Sequence, residues 1–220
     1  MRRLLALLSG FALVAALFPA SAAAAQPSTP VVFVHGFSGK GDQWDEMRGT
    51  LADSGYPEEL LSAFDYDWAR SNTTIAEGLG DHVDDLLDEH GAERVHMVTH
   101  SMGGLSSRYY IQNLGGTDTV DQWISIGGPN NGTNIANLCP SPITPCEEMR
   151  HDSDFLNDLN EDPTPGPVDY TTMRSPCDAV ISPVDSTSLP GAENIETGCI
   201  GHIGMMSDDE VIDLVGDIVL

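Results

Sequence analysis

The chain has 220 residues, 40% hydrophobic and 20% charged, which is enough apolar material for one packed core and too little length for two. Acidic residues outnumber basic ones 34 to 9, a net charge of −25. A field of that sign repels nucleic acid and anionic lipid surfaces, so neither is expected as a partner.

In chain order the first segment reads as a leader. Arg2 and Arg3 precede an apolar run over residues 4–18, and the small residues of PASAAAAQ follow, the pattern of an export signal. The run is shorter than a membrane-spanning helix requires, so stable membrane insertion is not expected. Residues 1–25 are therefore expected to be a cleaved signal peptide and residues 26–220 one secreted domain, acting as a monomer. Loss of Arg2 and Arg3 would take the net charge from −25 to −27.

After the leader, short apolar runs alternate with helical spacing. Residues 31–35 are a β-branched run that predicts a buried strand, and a Gly-rich turn, residues 36–41, follows. Residues 43–54 carry Trp44, Met47 and Leu51 at helical spacing, and residues 60–66 predict a second strand. Over residues 74–90, Ile75, Leu79, Val83, Leu86 and Leu87 share one side of a helix, with Thr74 and Glu77 in capping-box spacing. Its acids, Asp81, Asp84, Asp85, Asp88 and Glu89, form the solvated face. Residues 94–99 predict a third strand, 102–114 a helix, and 120–126 a fourth strand running into GGPNNG. Residues 170–174 and 194–197 predict strands five and six, and residues 207–220 a closing helix with Ser207 and Glu210 as a second capping box. Such alternation implies an α/β fold, a mostly parallel six-stranded sheet with helices on both faces.

Residues 127–169 break the alternation. They hold CPSPITPC, a short helical candidate at 153–159 and the Pro-rich DPTPGP, and they read as a binding-site wall or as a surface loop. No long amphipathic helix is present there, so no large lid is expected.

Reactive residues are sought where ligands bind such sheets, beyond the carboxyl ends of the strands. VTHSMGG places Ser101 between the third strand and its helix, a sharp turn that needs small neighbours and leaves the hydroxyl exposed at a helix N-terminus. The pattern G-x-S-x-G is met at Ser101 and Gly103, but Thr99 stands where glycine is usual, and a helix-capping serine is the competing reading. A serine hydroxyl needs a base, and the base an acid that orients it. In this fold class both follow the serine along the chain, and SPCDAV offers Asp178 and GHIG offers His202. Asp185 is the serious rival acid; Asp169 would lie at the wrong end of its strand. His35 and His100 border the turns and shape the site, while His82, His90 and His96 read as structural or exposed, and His151 has no positional argument. The amides of Met102, directly after the serine, and of Phe37, in the turn after the first strand, are the candidate oxyanion donors. The steps so described call for no cofactor or metal.

Export makes disulfides the expected state of Cys139, Cys146, Cys177 and Cys199. Four cysteines permit three pairings, and the sequence alone does not choose among them. The favoured set joins Cys139 to Cys146 across PSPITP and Cys177 to Cys199. The second would fasten the acid loop to the histidine loop and stabilise the fold by roughly 3 kcal/mol.

Together, VVFVHGFSG, VTHSMGGLSSRYYI, SPCDAVISP and LPGAENIETGCIGHIGMM resemble the small secreted bacterial lipases of the α/β-hydrolase superfamily, the class of the minimal Bacillus lipases and related actinobacterial enzymes. The resemblance spans nearly the whole chain after the leader. It implies a minimal α/β-hydrolase that cleaves carboxylic esters including acylglycerols, with Ser101, Asp178 and His202 as triad and Phe37 and Met102 as oxyanion donors. The disulfide-bearing stretch after GGPNNG departs from the pattern. Two other readings remain open on sequence: a different acyl transfer on the same residues, such as transesterification or polyester cleavage, and a non-catalytic binding protein on a hydrolase scaffold.

Overall fold

The computed structural model describes residues 29–139 and 142–220. The leader expected over residues 1–25 lies outside the described residues.

Six strands form one sheet: β1 (Val31–Val34), β2 (Leu61–Phe64), β3 (Val95–His100), β4 (Val120–Ile126), β5 (Asp169–Arg174) and β6 (Glu193–Glu196). The order is β2-β1-β3-β4-β5-β6, and every neighbouring pair runs parallel. Parallel strands need crossovers, and these put helices on both faces.

Alternation along each strand assigns its side chains to the two faces. Val31, Phe33, Val98, Ile124 and Met173 pack against α1 (Asp45–Asp53) and α7 (Asp209–Val219). Val32, Val34, Met97, Trp123 and Tyr170 pack on the other face against α2 (Asn72–His90) and α3 (Gly103–Asn113). α1 is preceded by a 3-10 turn, Gly41–Trp44, which carries Trp44 of the predicted helix, and a short α4 (Gly116–Thr119) leads into β4.

Both predicted capping boxes are replaced by other caps. Helix α2 begins earlier than expected, with Ser71 as cap accepting from the Thr74 amide. Helix α7 is capped by Asp208, because Ser207 closes a separate 3-10 turn, Gly204–Ser207. In both places adjacent polar residues compete, and the path of the incoming chain decides which one faces the free amides.

The segment that broke the alternation holds a 3-10 helix, Asn134–Leu138, and the short helices α5 (Thr144–Glu148) and α6 (Asp154–Leu159). It packs over Ile75 of α2 and over Met102 and Leu105 through Ala136, Cys146, Met149, Leu156 and Leu159, a third apolar cluster. It is a wall and not a lid, since among the described residues its longest helix is α6, with six residues.

The sheet order reverses at β1, which pairs with β2 on one side and β3 on the other. In open parallel sheets ligands bind outside the carboxyl ends of the strands at such a reversal, and here the turns after β1 and β3 stand at that end.

Candidate active site

Ser101 directly follows β3 and stands in the left-handed region at φ 53°, a costly conformation for a residue with a side chain. Its amide donates to the Ile126 carbonyl at 3.0 Å, which ties the turn to the end of β4. The turn brings α3 down onto β1: a Cβ on Gly103 would lie 2.5 Å from the carbonyl oxygens of Val34 and His35. Only glycine permits that approach. Thr99, the departure from the usual motif, is fully buried, and its hydroxyl donates to the Ile124 carbonyl at 3.0 Å. A strand position tolerates the β-branch, and the hydrogen bond removes the cost of the hydroxyl.

Beyond β5, Asp178 accepts from Nδ1 of His202 through Oδ2 at 2.7 Å. Its other oxygen, Oδ1, accepts from the amides of Val180 and Ile181 at 2.8 and 2.9 Å. Burial pushes the carboxyl pKa up, but the His202 hydrogen bond and charge and the two amides outweigh it, and the result lies below the ordinary carboxylate value. An ionised carboxylate only accepts, so Nδ1 carries the proton and Nε2 of His202 presents a lone pair. Gly127, at φ 58° after β4, lies under the pair; a Cβ there would come within 3.2 Å of His202 Nδ1 and 3.3 Å of Asp178 Oδ2.

His202 also reaches the serine turn. Its carbonyl accepts from Nε2 of His100 at 3.0 Å, and the two imidazole rings stand 4.6 Å apart. Three residues that are far apart in the chain, Ser101, Asp178 and His202, are thus gathered at one end of the sheet, each 7% exposed.

The turn after β1 carries Phe37. Among the described residues, neither the Phe37 nor the Met102 amide donates to a protein acceptor. His35 stacks on Tyr66 at 3.9 Å, and the Tyr66 hydroxyl donates to the His35 carbonyl, so the base of this turn is held against β2. The Phe37 ring packs on Trp68 at 4.6 Å, and both belong with Met102 to the third apolar cluster.

The rivals fall elsewhere. Asp185 is 79% exposed in its side chain and pairs with Arg174 at 3.3 Å, and Asp169 opens β5 at the amino end of the sheet. His82 bonds to the Ser62 hydroxyl, His96 lies beside Asp121, and His90 ends α2. His151 bridges the carbonyls of Asn131 and Ser182, fastening the wall to two loops.

Both disulfides join the expected partners, Cys139 with Cys146 and Cys177 with Cys199. Among the described residues no group of three or more His, Cys, Asp or Glu could hold a metal ion, and no helix is long and apolar enough to cross a membrane.

Two supports of the wall were not anticipated from sequence. Arg108 of α3 is buried and donates to the carbonyls of Asn130, Leu159 and Pro163 and to Asn160 Oδ1, and burial lowers its pKa to about 10. Its place on the inward stripe of α3, one turn after Gly104, was the available signal. Glu148 of α5 accepts from both the amide and the side chain of Asn72 at 2.8 Å, which fixes the wall to the start of α2.

A parallel sheet of this order, with a serine on the sharp turn from β3 into α3 and an acid and a histidine after later strands, defines a protein of the α/β-hydrolase superfamily. Residues 28–196 match the family described as lipase (class 2), and the chain belongs to that family. Among solved structures, mature lipase BlEst2 of Bacillus licheniformis is similar at a TM-score of 0.76 and 18% identity, over 91% of this chain and 94% of that one. Aspergillus fumigatus lipase B is similar at a TM-score of 0.75 and 16% identity, over 88% of this chain and 52% of that one. At those identities the likeness is one of fold. A triacylglycerol lipase of Vibrio cholerae serotype O1 is 33% identical over 119 residues, 51% of this chain and 36% of that protein. The non-heme chloroperoxidase CPO-A1 of Kitasatospora aureofaciens is 32% identical over 91 residues, 39% of this chain and 32% of that protein. The chain spans about a third of the length of these curated relatives.

Proposed function

We propose that the protein is a secreted serine carboxylester hydrolase, a triacylglycerol lipase or esterase that works through an acyl-enzyme. The observation that carries this reading is the 2.7 Å pair of His202 and Asp178 brought against the strained Ser101 turn. With Nδ1 engaged by Asp178, Nε2 of His202 is the free base that takes the Ser101 proton as Oγ attacks the ester carbonyl. The oxyanion that forms is met by the Phe37 and Met102 amides and by the N-terminal end of α3. The imidazolium then protonates the departing alcohol. Water, deprotonated by the same histidine, releases the acid and restores Ser101.

The apolar cluster of Phe37, Trp68, Met102 and the wall is the natural side for an acyl chain, and the chain's net charge of −25 favours neutral esters and repels the released carboxylate. Export is supported by the two disulfides, which persist in oxidising compartments.

The test compares the oxidised protein with Ser101→Ala on p-nitrophenyl butyrate and on a long-chain triacylglycerol, with a fluorophosphonate as covalent probe of the serine. Turnover and labelling that both vanish in the variant support the reading. Labelling of Ser101 without turnover of either ester moves the substrate to another acyl group, such as a polyester. Turnover that survives in Ser101→Ala overturns the assignment.

A further inference from the structure

The triad explanation leaves His100 unused, although it is the residue closest in sequence to Ser101 on the strand side and is almost completely buried. A buried imidazole is seldom placed at a reactive centre without a partner, and this one has a specific partner: its Nε2 lies 3.0 Å from the backbone carbonyl of His202, 102 residues away. We infer that His100 is a positioning residue for the hydrolytic reaction, a neutral Nε2–H donor that holds the His202 main chain so that its ring can serve Ser101 and Asp178 together. This inference rests on the triad reading above.

The geometry explains why one hydrogen bond at this point matters. His202 sits in the turn between β6 and the 3-10 turn Gly204–Ser207, with exposed Ile203 next to it, so neither regular element fixes its backbone. The ring is held by Asp178 through Nδ1, but that bond alone permits the ring to pivot about the carboxylate. The second hold, through the carbonyl, comes from the residue that adjoins the nucleophile. His202 is thereby referenced to Ser101 across a single residue, and a base that must work over a proton-transfer distance gains from that short linkage.

The same arrangement requires His100 to stay uncharged. A carbonyl accepts, so the Nε2 that faces it carries hydrogen and the neutral tautomer is complete. The charged and titratable groups that act on His100 are His202, Asp178 and His35. Burial, reinforced by the neighbouring His202, pushes its pKa down to about 3. His202 acquires its positive charge in the transition state 4.6 Å from the His100 ring, and a second imidazolium there would oppose it.

The experiment uses the whole oxidised protein with His100→Leu, which fills the space and removes the donor, and His100→Gln, whose amide nitrogen can reach the position of Nε2. Five quantities are read: kcat and KM on p-nitrophenyl butyrate, fluorophosphonate labelling of Ser101, thermal unfolding, and the downfield proton resonance of the His202–Asp178 hydrogen bond. The expected result for His100→Leu is a kcat lower by about tenfold, the loss of one buried hydrogen bond, with KM held within about twofold. The downfield resonance should broaden or move. His100→Gln should recover most of kcat and the resonance even where its thermal midpoint is no higher than that of the Leu variant.

A Leu variant with unchanged kcat and resonance overturns the inference, as does a kcat that follows the thermal midpoint across both variants. If His100→Leu is not folded, His100→Gln and His100→Asn decide: the first should be active and the second, whose nitrogen falls short of the carbonyl, impaired, and equal activity overturns the inference. Wild-type protein that fails to label at Ser101 refutes the triad reading instead, so the two failures are distinguishable.

Discussion

Asp178 meets His202 with one carboxylate oxygen, Oδ2, at 2.7 Å, and gives the other, Oδ1, to the amides of Val180 and Ile181 in its own loop. The carboxylate is therefore oriented by its own loop independently of the histidine, and the histidine is held in the tautomer that leaves Nε2 free. Asp178→Asn keeps the shape but can present an N–H to Nδ1, which reverses the tautomer. The expected loss in kcat is on the order of 10³- to 10⁴-fold in a variant that remains folded. Asp185→Asn, at the rival position, is expected to leave kcat within about twofold, because an exposed ion pair contributes little. Steady-state kinetics on p-nitrophenyl butyrate separates the two.

The Cys177–Cys199 bridge spans 22 residues and has one end beside Asp178 and the other three residues before His202. Both cysteines are exposed, so a mild reductant reaches them. Opening this bridge is expected to cost about 3 kcal/mol, against about 2 kcal/mol for the seven-residue Cys139–Cys146 bridge, by chain entropy. The double variant Cys177→Ser, Cys199→Ser should unfold roughly 10 °C lower than the oxidised protein and lose activity before it unfolds. The matched pair Cys139→Ser, Cys146→Ser should be milder in both. Calorimetry and activity against temperature give the comparison, and equal effects would mean that the bridge does not serve the acid and histidine loops.

Acid should destabilise the fold through His100. In the unfolded chain the imidazole takes a proton near its ordinary value of 6.5, whereas in the folded protein it resists down to about 3. Between those values the unfolded state binds one more proton, so stability falls with pH by about 1.4 kcal/mol per unit for this one group. Asp178 acts at lower pH: its depressed pKa adds stability above the ordinary carboxylate value that is lost as the pH falls through the folded value. Neutralising the acidic surface relieves repulsion and works in the opposite direction, so the informative measurement is a difference. Denaturant unfolding of wild type and His100→Gln between pH 4 and 7 should show the gap between them narrowing or reversing toward acid. Parallel curves would contradict the assignment of a buried, neutral His100.

Gly103→Ala should prevent the turn from closing, since its Cβ would lie 2.5 Å from two backbone carbonyl oxygens that cannot move aside without displacing β1. A cost of about 3 kcal/mol or more is expected. Gly49→Ala, on the exposed side of helix α1 with nothing within 4 Å of the added carbon, should instead stabilise by about 0.5–1 kcal/mol. Thermal midpoints of the two variants test the contrast directly.

The central strands β1, β3 and β4 were legible as buried, mostly apolar runs bounded by turn residues, and β3 differs from expectation only in taking in His100 and leaving out Arg94. The caps were less legible: SNTT and SD offer neighbouring acceptors, and Ser71 and Asp208 prevail because of how the chain enters each helix. Residues 127–169 showed no long period because their helices have at most six residues, and beyond the few apolar side chains each buries they are held by distant groups, Arg108 and the start of α2.

The sequence by itself determined the α/β alternation, the serine turn with its small neighbour Gly103, and the order of serine, acid and histidine, all of which are encoded in spacings of a few residues. Only the tertiary structure decided that Asp178 and not Asp185 faces His202, which cysteines pair, that residues 127–169 form a wall, and that His100 reaches the His202 carbonyl. Those outcomes depend on which loops meet after the sheet has formed. Contacts made by loops 22 to 102 residues apart leave no local period in the chain, and the sheet order that brings them together is a property of the whole packed domain.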